Sequence, residues 1–282
     1  MACAVAAVRV SLGAVVSLGV VMHLTILGGS AAGPNPGQGC SGYLVQSDAT
    51  GIVLDLGPGT LPELRKHVDF REIDAVIISH LHLDHWLDIL ALRFALAYNP
   101  VPPRKAIPLW LPPGGLELLE RLAVAVAGPA SQLDYFSVFA AHEFDPGAEL
   151  PIGEVTCHFH PTVHYIPCWA IRVSNGRDGD LLYTADTGPA ADLADFGRGS
   201  FAVVAEGTTH EEPSEPSATR GHLTPTEAGT LARQVGAEIL VLTHLWAEND
   251  PFAALADARR AFARPVDLAT PGLALEWHRE RL

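Results

Sequence analysis

Six consecutive residues, His80-Leu81-His82-Leu83-Asp84-His85, hold three imidazoles and one carboxylate. Neutral imidazole nitrogens and carboxylate oxygens are the donors that bind divalent transition metals, and their tight spacing here favours metal ligation over a solvated polar turn. The apolar run Ala75-Val76-Ile77-Ile78 immediately before them reads as a buried strand. In extended backbone His80 and His82 point to the same side, whereas Asp84 and His85 follow the turn and approach from another. Four donors at one strand-to-loop corner suit two adjacent cations better than one.

Two cations need more donors, and the ends of later strands supply them. His164 follows the strand expected over 154–160, Asp186 the strand over 181–184, and His244 the strand over 239–243. Each alone is a weak signal, since a histidine at a strand end is usually just a satisfied polar residue. Taken with the first cluster they form one donor set, delivered to the C-terminal edge of a sheet.

The elements that must position these groups can be read from periodicity and punctuation. Strands are expected at 22–28, 43–46, 52–56, 75–79, 109–111, 135–139, 154–160, 169–173, 181–184, 201–205 and 239–243, with two short ones closing the chain. Helices are expected at 60–67, capped by Thr60, and at 87–98, 116–127, 225–235 and 251–262. Strand-rich halves separated by helices imply an α/β (α+β) chain with two sheets and helices outside them, in one domain. That domain is expected to span 22–282. Residues 1–21 are apolar with Arg9 the only charge, and Met22 opens the first strand, so 1–21 read as an extension from an upstream start. A leader for export is the lesser reading, because Arg9 makes a thin charged region and 28–33 is not a clear cleavage site.

Of 282 residues, 48% are hydrophobic and 18% charged, enough for a sizeable core. The net charge of -14 argues against stable binding to nucleic acid or to an anionic membrane, both of which need a broad basic face. The cysteines at 3, 40, 157 and 168 show no C-x-x-C pair and read as free thiols in a reducing, cytoplasmic compartment.

The ordered set H-x-H-x-D-H, His164, Asp186, His244 resembles that of the metallo-β-lactamase fold superfamily, with the similarity running from about Met22 to the C-terminus. The resemblance implies a four-layer αββα sandwich with a dinuclear site, usually zinc, though manganese or iron also fit. It places His80, His82 and His164 on one metal, Asp84, His85 and His244 on the other, and Asp186 between them. Asp55-Leu56-Gly57-Pro58-Gly59 matches the D-x-G-x-G loop, where Asp55 would orient a ligand imidazole.

His222-Leu223-Thr224-Pro225-Thr226-Glu227-Ala228 and Glu206-Gly207-Thr208 resemble motifs of the ribonuclease Z-like branch. The first implies that His222 serves the scissile phosphate and leaving group, with Glu206 as its partner. Ribonuclease Z proteins carry a long arm that grips transfer RNA, and only 174–180 stand where it would be inserted. The chain therefore looks more like the armless relatives, which include bacterial cyclic-nucleotide phosphodiesterases. The expectation is hydrolysis of a small phosphodiester, with Asp84 orienting the nucleophile, His222 as general acid and Arg172 as a weaker phosphate contact. A homodimer stays open. The nearest rival keeps the site and cleaves a thioester, lactone or sulfate ester. A non-catalytic metal-binding protein would tend to have lost ligands, and none is missing.

Overall fold

The computed structural model describes residues 9–10, 21–128, 135–209 and 213–278. Apart from residues 9–10, the segment before Met22 read as an extension lies almost wholly outside the described residues.

Strands β1 (Arg9–Val10), β2 (Met22–Gly28), β3 (Gly42–Ser47), β4 (Thr50–Leu56), β5 (Ala75–Ile77), β6 (Ile107–Leu111) and β7 (Phe139–Glu143) belong to a first sheet. Strands β8 (Leu150–Ile152), β9 (Val155–Pro161), β10 (Trp169–Ser174), β11 (Leu181–Tyr183), β12 (Ala202–Glu206), β13 (Ile239–Thr243) and β14 (Val266–Leu268) make a second. The last strand, β15 (Ala274–Trp277), returns to the first sheet, whose order is β1-β15-β2-β3-β4-β5-β6-β7; the second runs β14-β13-β12-β11-β10-β9-β8. Each sheet begins with antiparallel neighbours and turns parallel, the first from β4 to β7 and the second from β11 to β14.

Alternating faces of β5 show how the layers arise. Ala75 and Ile77 join the apolar cluster between the sheets, and Val76 and Ile78 join a second cluster on the outer face. Helices α1 (Thr60–His67), α2 (Asp88–Ala97) and α3 (Gly115–Ala127) cover that outer face through Leu64, Leu92 and Leu119. A third cluster packs the other sheet against α5 (Pro225–Val235) and α6 (Pro251–Phe262), with the single turn of α4 (Leu193–Phe196) alongside. The architecture is the αββα sandwich. Among the described residues no helix is long and apolar enough to cross a membrane.

The structure departs from expectation at a few places, each with a physical cause. Residues 135–138 form a turn, and β7 begins only at Phe139, where parallel pairing with Ile107 starts. Thr60 does not cap α1. The cap position is Gly59, left-handed at φ 87°, while the Thr60 hydroxyl donates to the Gly57 carbonyl at 2.6 Å. The free Leu61 N–H is instead accepted by Asp88 of α2 at 2.9 Å. Strand β8 and helix α4 have three and four residues, too short to show a period.

One close approach ties the end of β4 to the histidine-rich corner. A Cβ on Gly57 would lie 1.9 Å from the Asp84 carbonyl oxygen, with no side chain able to move aside. Gly57→Ala is expected to push that corner away and cost about 1–3 kcal/mol, seen as a lowered thermal midpoint. Gly33→Ala, where nothing lies within 4 Å, is the control.

Candidate metal centre

Both sheets send their site residues to one edge. Asp55 ends β4, and His80 to His85 follow β5, the last three in a short 3-10 turn at Leu83–His85. From the second sheet His164 follows β9, Asp186 follows β11, Glu206 ends β12 and His244 follows β13. Three of these strand ends carry a non-glycine residue in the left-handed region: Asp55 (φ 56°), Ala185 (φ 50°) and His244 (φ 57°). Such residues are uncommon and mildly strained, and here they kink the chain where a ligand side chain must turn inward.

Two clusters result. Potential ligand atoms of His80, His82, His164 and Asp186 lie within 4.8 Å of one another, as do those of Asp84, His85 and His244. Asp186 joins them. Its Oδ2 is 3.7 Å from His80 Nε2 and 3.6 Å from His164 Nε2, and its Oδ1 is 3.3 Å from His85 Nε2 and 3.6 Å from His244 Nε2.

The outer nitrogens show what the inner ones must be. His85 Nδ1 donates to Asp55 at 2.7 Å, and His164 Nδ1 donates to the Gly221 carbonyl at 2.9 Å. The Ser79 hydroxyl gives its proton to Asp55 at 2.7 Å and so accepts from His80 Nδ1 at 3.1 Å. Thr208 likewise donates to Glu206 at 2.6 Å and accepts from His244 Nδ1 at 2.7 Å. With each outer nitrogen protonated, Nε2 is the atom through which each neutral ring can present a lone pair to the centre. His244 Nε2 then faces an Asp84 oxygen at 3.0 Å, and His85 Nε2 is buried with no hydrogen-bond partner. His82 Nδ1 lies 3.2 Å from His80 Nε2 and 2.9 Å from His164 Nε2, and one proton cannot serve both. Lone pairs and carboxylate oxygens converging at these distances repel unless a cation lies among them. The donor set therefore fits divalent metal binding.

Without a cation, the carboxylates and imidazoles of the centre set one another's protonation. Burial disfavours charge on Asp186, yet the His244 and His85 imidazoles beside it hold its carboxyl well below the usual range. Burial also opposes charge on His85, but Asp186 and Asp55 push it well above an ordinary histidine. His80, buried with fewer carboxylates around it, is depressed by desolvation and by the other imidazoles.

Asp55, expected to orient an imidazole, is hydrogen-bonded to His85 and to two further residues. It accepts from the Ser79 N–H at 2.7 Å and from the Tyr183 hydroxyl at 2.6 Å, besides His85. Tyr183 was not legible as a site residue, because a buried strand tyrosine has the same signature as any core aromatic. Tyr183→Phe keeps the ring and removes a donor to Asp55. It is expected to weaken metal affinity about tenfold, measured by competition with a chromophoric chelator.

His222 stands beside the clusters. Its ring centroid is 4.9 Å from that of His164 and 5.7 Å from that of His244. Its Nδ1 is 3.0 Å from both oxygens of Glu206. Burial works against its charge, but the Glu206 carboxylate prevails and lifts His222 to about 9. Glu206 is fixed in turn by the Thr187 N–H at 2.6 Å. Arg220, almost fully buried, donates Nε to the His222 carbonyl at 2.8 Å and Nη2 to Glu227 at 2.5 and 2.6 Å. Glu227 closes a capping box with Thr224 at the start of α5, a T-x-x-E spacing visible in the sequence; its role in holding the His222 loop was not.

One expectation fails. Arg172 is not at the site: its guanidinium pairs with Asp180 at 2.6 Å and lies over Phe196, at the end of β11 opposite Asp186. In mid-strand its side chain is committed to the nearest carboxylate on the turn between β10 and β11. Cys40, Cys157 and Cys168 are buried free thiols, as expected, and Cys3 lies outside the described residues. Burial pushes Cys157 up to about 12, far from a reactive thiolate.

Residues 50–245 match the family model described as "Beta-lactamase superfamily domain", and the chain belongs to that superfamily. It is 30% identical to the uncharacterized protein Rv1339 of Mycobacterium tuberculosis, over 88% of this chain and 89% of that one. It is 27% identical to the probable metallo-hydrolase YhfI of Bacillus subtilis, over 90% of this chain and all of the other. The crystal structure of YhfI superposes with a TM-score of 0.79, covering 92% of this chain and 100% of that one. Human tRNase Z, short form, shares the fold with a TM-score of 0.66 at 21% identity, covering 89% and 98%.

Proposed function

We propose that this chain is a metal-dependent hydrolase that cleaves a small phosphodiester, such as a cyclic nucleotide, using two divalent ions, with zinc the first choice. The observation that carries the reading is the His222–Glu206 pair, an imidazole held at 3.0 Å by a buried carboxylate beside seven metal-type ligands. His80, His82 and His164 would hold one ion, Asp84, His85 and His244 the other, and Asp186 both. Ions held there would bring the pKa of a bound water to about 7 and neutralise charge on a phosphoryl group.

The protein's own groups do the rest. Asp84, fixed by the Ala32 N–H at 2.9 Å, orients the attacking water. His222 donates its proton from Nε2 to the leaving ester oxygen, while Glu206 on Nδ1 keeps the ring oriented and charged. Asp55, Ser79 and Thr208 hold the ligand imidazoles in the required tautomer. The relatives named ribonuclease Z and tRNase Z support phosphate-ester chemistry over thioester or lactone cleavage. Only six residues, 175–180, join β10 to β11, which leaves no arm for transfer RNA and supports a small substrate. We further propose a cytoplasmic enzyme without stable nucleic-acid or membrane partners.

The test is a panel of cyclic mononucleotides, dinucleotides, thioesters and lactones with metal-loaded protein, beside the general reporter bis-p-nitrophenyl phosphate. Turnover of at least one phosphodiester is expected. Failure on every phosphodiester with turnover of a thioester would overturn the reading.

A further inference from the structure

We infer that Tyr165 is a stacking platform for a nucleobase, so that the substrate is a nucleoside phosphodiester whose base lies against this ring; the inference rests on the phosphodiesterase reading. Tyr165 follows the ligand His164 directly and is 55% exposed, an uncommon state for a large aromatic side chain next to a buried polar centre. It is not loose. Its hydroxyl donates to the Glu215 carboxylate, with oxygens at 2.9 and 3.1 Å. Its ring rests on Gly221, where an added Cβ would lie 2.8 to 3.0 Å from three ring carbons. The ring is thus pinned at its tip and backed by a residue that has no side chain, with more than half its surface left to solvent.

Position selects the ligand. The Tyr165 centroid is 5.2 Å from that of His164 and 5.7 Å from that of His222, the group that serves the leaving oxygen. In a nucleoside cyclic phosphate the leaving oxygen belongs to the ribose, so the attached base must lie on the His222 side of the centre. A fixed, exposed aromatic face there offers stacking to any base. The neighbouring Glu215 carboxylate and the chain's net charge of -14 discourage a second anionic group and suit a neutral base. Holding the ring in advance removes the ordering cost that a mobile side chain would impose on binding.

Calorimetric titration of metal-loaded protein with adenosine 5′-monophosphate and with inorganic phosphate tests this, with Tyr165→Ala and Tyr165→Phe beside the wild type. The nucleotide should bind the wild type more tightly than phosphate. Tyr165→Ala should lower that preference about tenfold, and Tyr165→Phe, which keeps the ring, should stay within about threefold of the wild type. Equal preference in wild type and Tyr165→Ala overturns the platform, as does a wild type that shows no preference. Either result leaves the phosphodiesterase reading standing if the enzyme turns over phosphodiesters. A Tyr165-dependent preference without such turnover would sink that reading and the nucleoside phosphodiester substrate with it, leaving Tyr165 only as a base-binding ring.

Discussion

Asp186→Ala is expected to abolish turnover, by about a thousandfold or more, and to lower the bound metal per chain. The geometry gives the reason. One carboxylate oxygen faces the imidazoles of the first cluster and the other faces those of the second, all within 3.3 to 3.7 Å. Removing it leaves two groups of imidazoles with less negative charge between them. Asp186→Asn keeps the volume and one oxygen, and should retain more metal than the alanine variant while remaining nearly inactive. Elemental analysis of dialysed protein, run beside a turnover assay, checks both halves. An alanine variant that kept full metal content and near-normal rate would remove Asp186 from the centre.

The second large effect belongs to His222 and its partner. His222→Ala should lower kcat about 10²- to 10³-fold, the usual contribution of a placed general acid, with metal content unchanged. Glu206→Gln should show a smaller loss, because the ring stays and only its charge and orientation weaken. The alternative is specific: ligand atoms of Asp186, His222 and His244 lie within 4.8 Å of one another, so His222 could itself be a ligand. Loss of metal in His222→Ala would show that it is, and would move the acid role elsewhere.

Much of this centre was legible because its chemistry is local in sequence. His80 to His85 fall within six residues, and His164, Asp186 and His244 follow strands whose apolar runs are plain. Two sheets with helices outside them were legible from the same runs, and the αββα sandwich came with the family resemblance. What escaped was whatever depends on the far side of a contact. Tyr183 reaches Asp55 across 128 positions, and Thr208 reaches His244 across 36. No spacing rule marks such pairs, since their register is set by sheet packing. Arg172 shows the converse error. An arginine near ligand-bearing strands looked available to a phosphate, but alternation and a nearby carboxylate sent it to the other end of the strand. Left-handed Ala185 and His244 left no trace in the sequence, because nothing about alanine or histidine announces that conformation.

The site draws on both sheets, with His80, His82, Asp84 and His85 from one and His164, Asp186 and His244 from the other. A cation bound there is therefore a cross-link between the two halves of the sandwich, and mass action governs its hold. At a free metal concentration a hundred times Kd the native state gains about 2.7 kcal/mol over the unfolded chain. On the proposed reading, cellular metal supply would set how long the molecule persists as well as how fast it works. A chelator should lower its melting temperature and open its two sheets to proteolysis in the same titration that silences it.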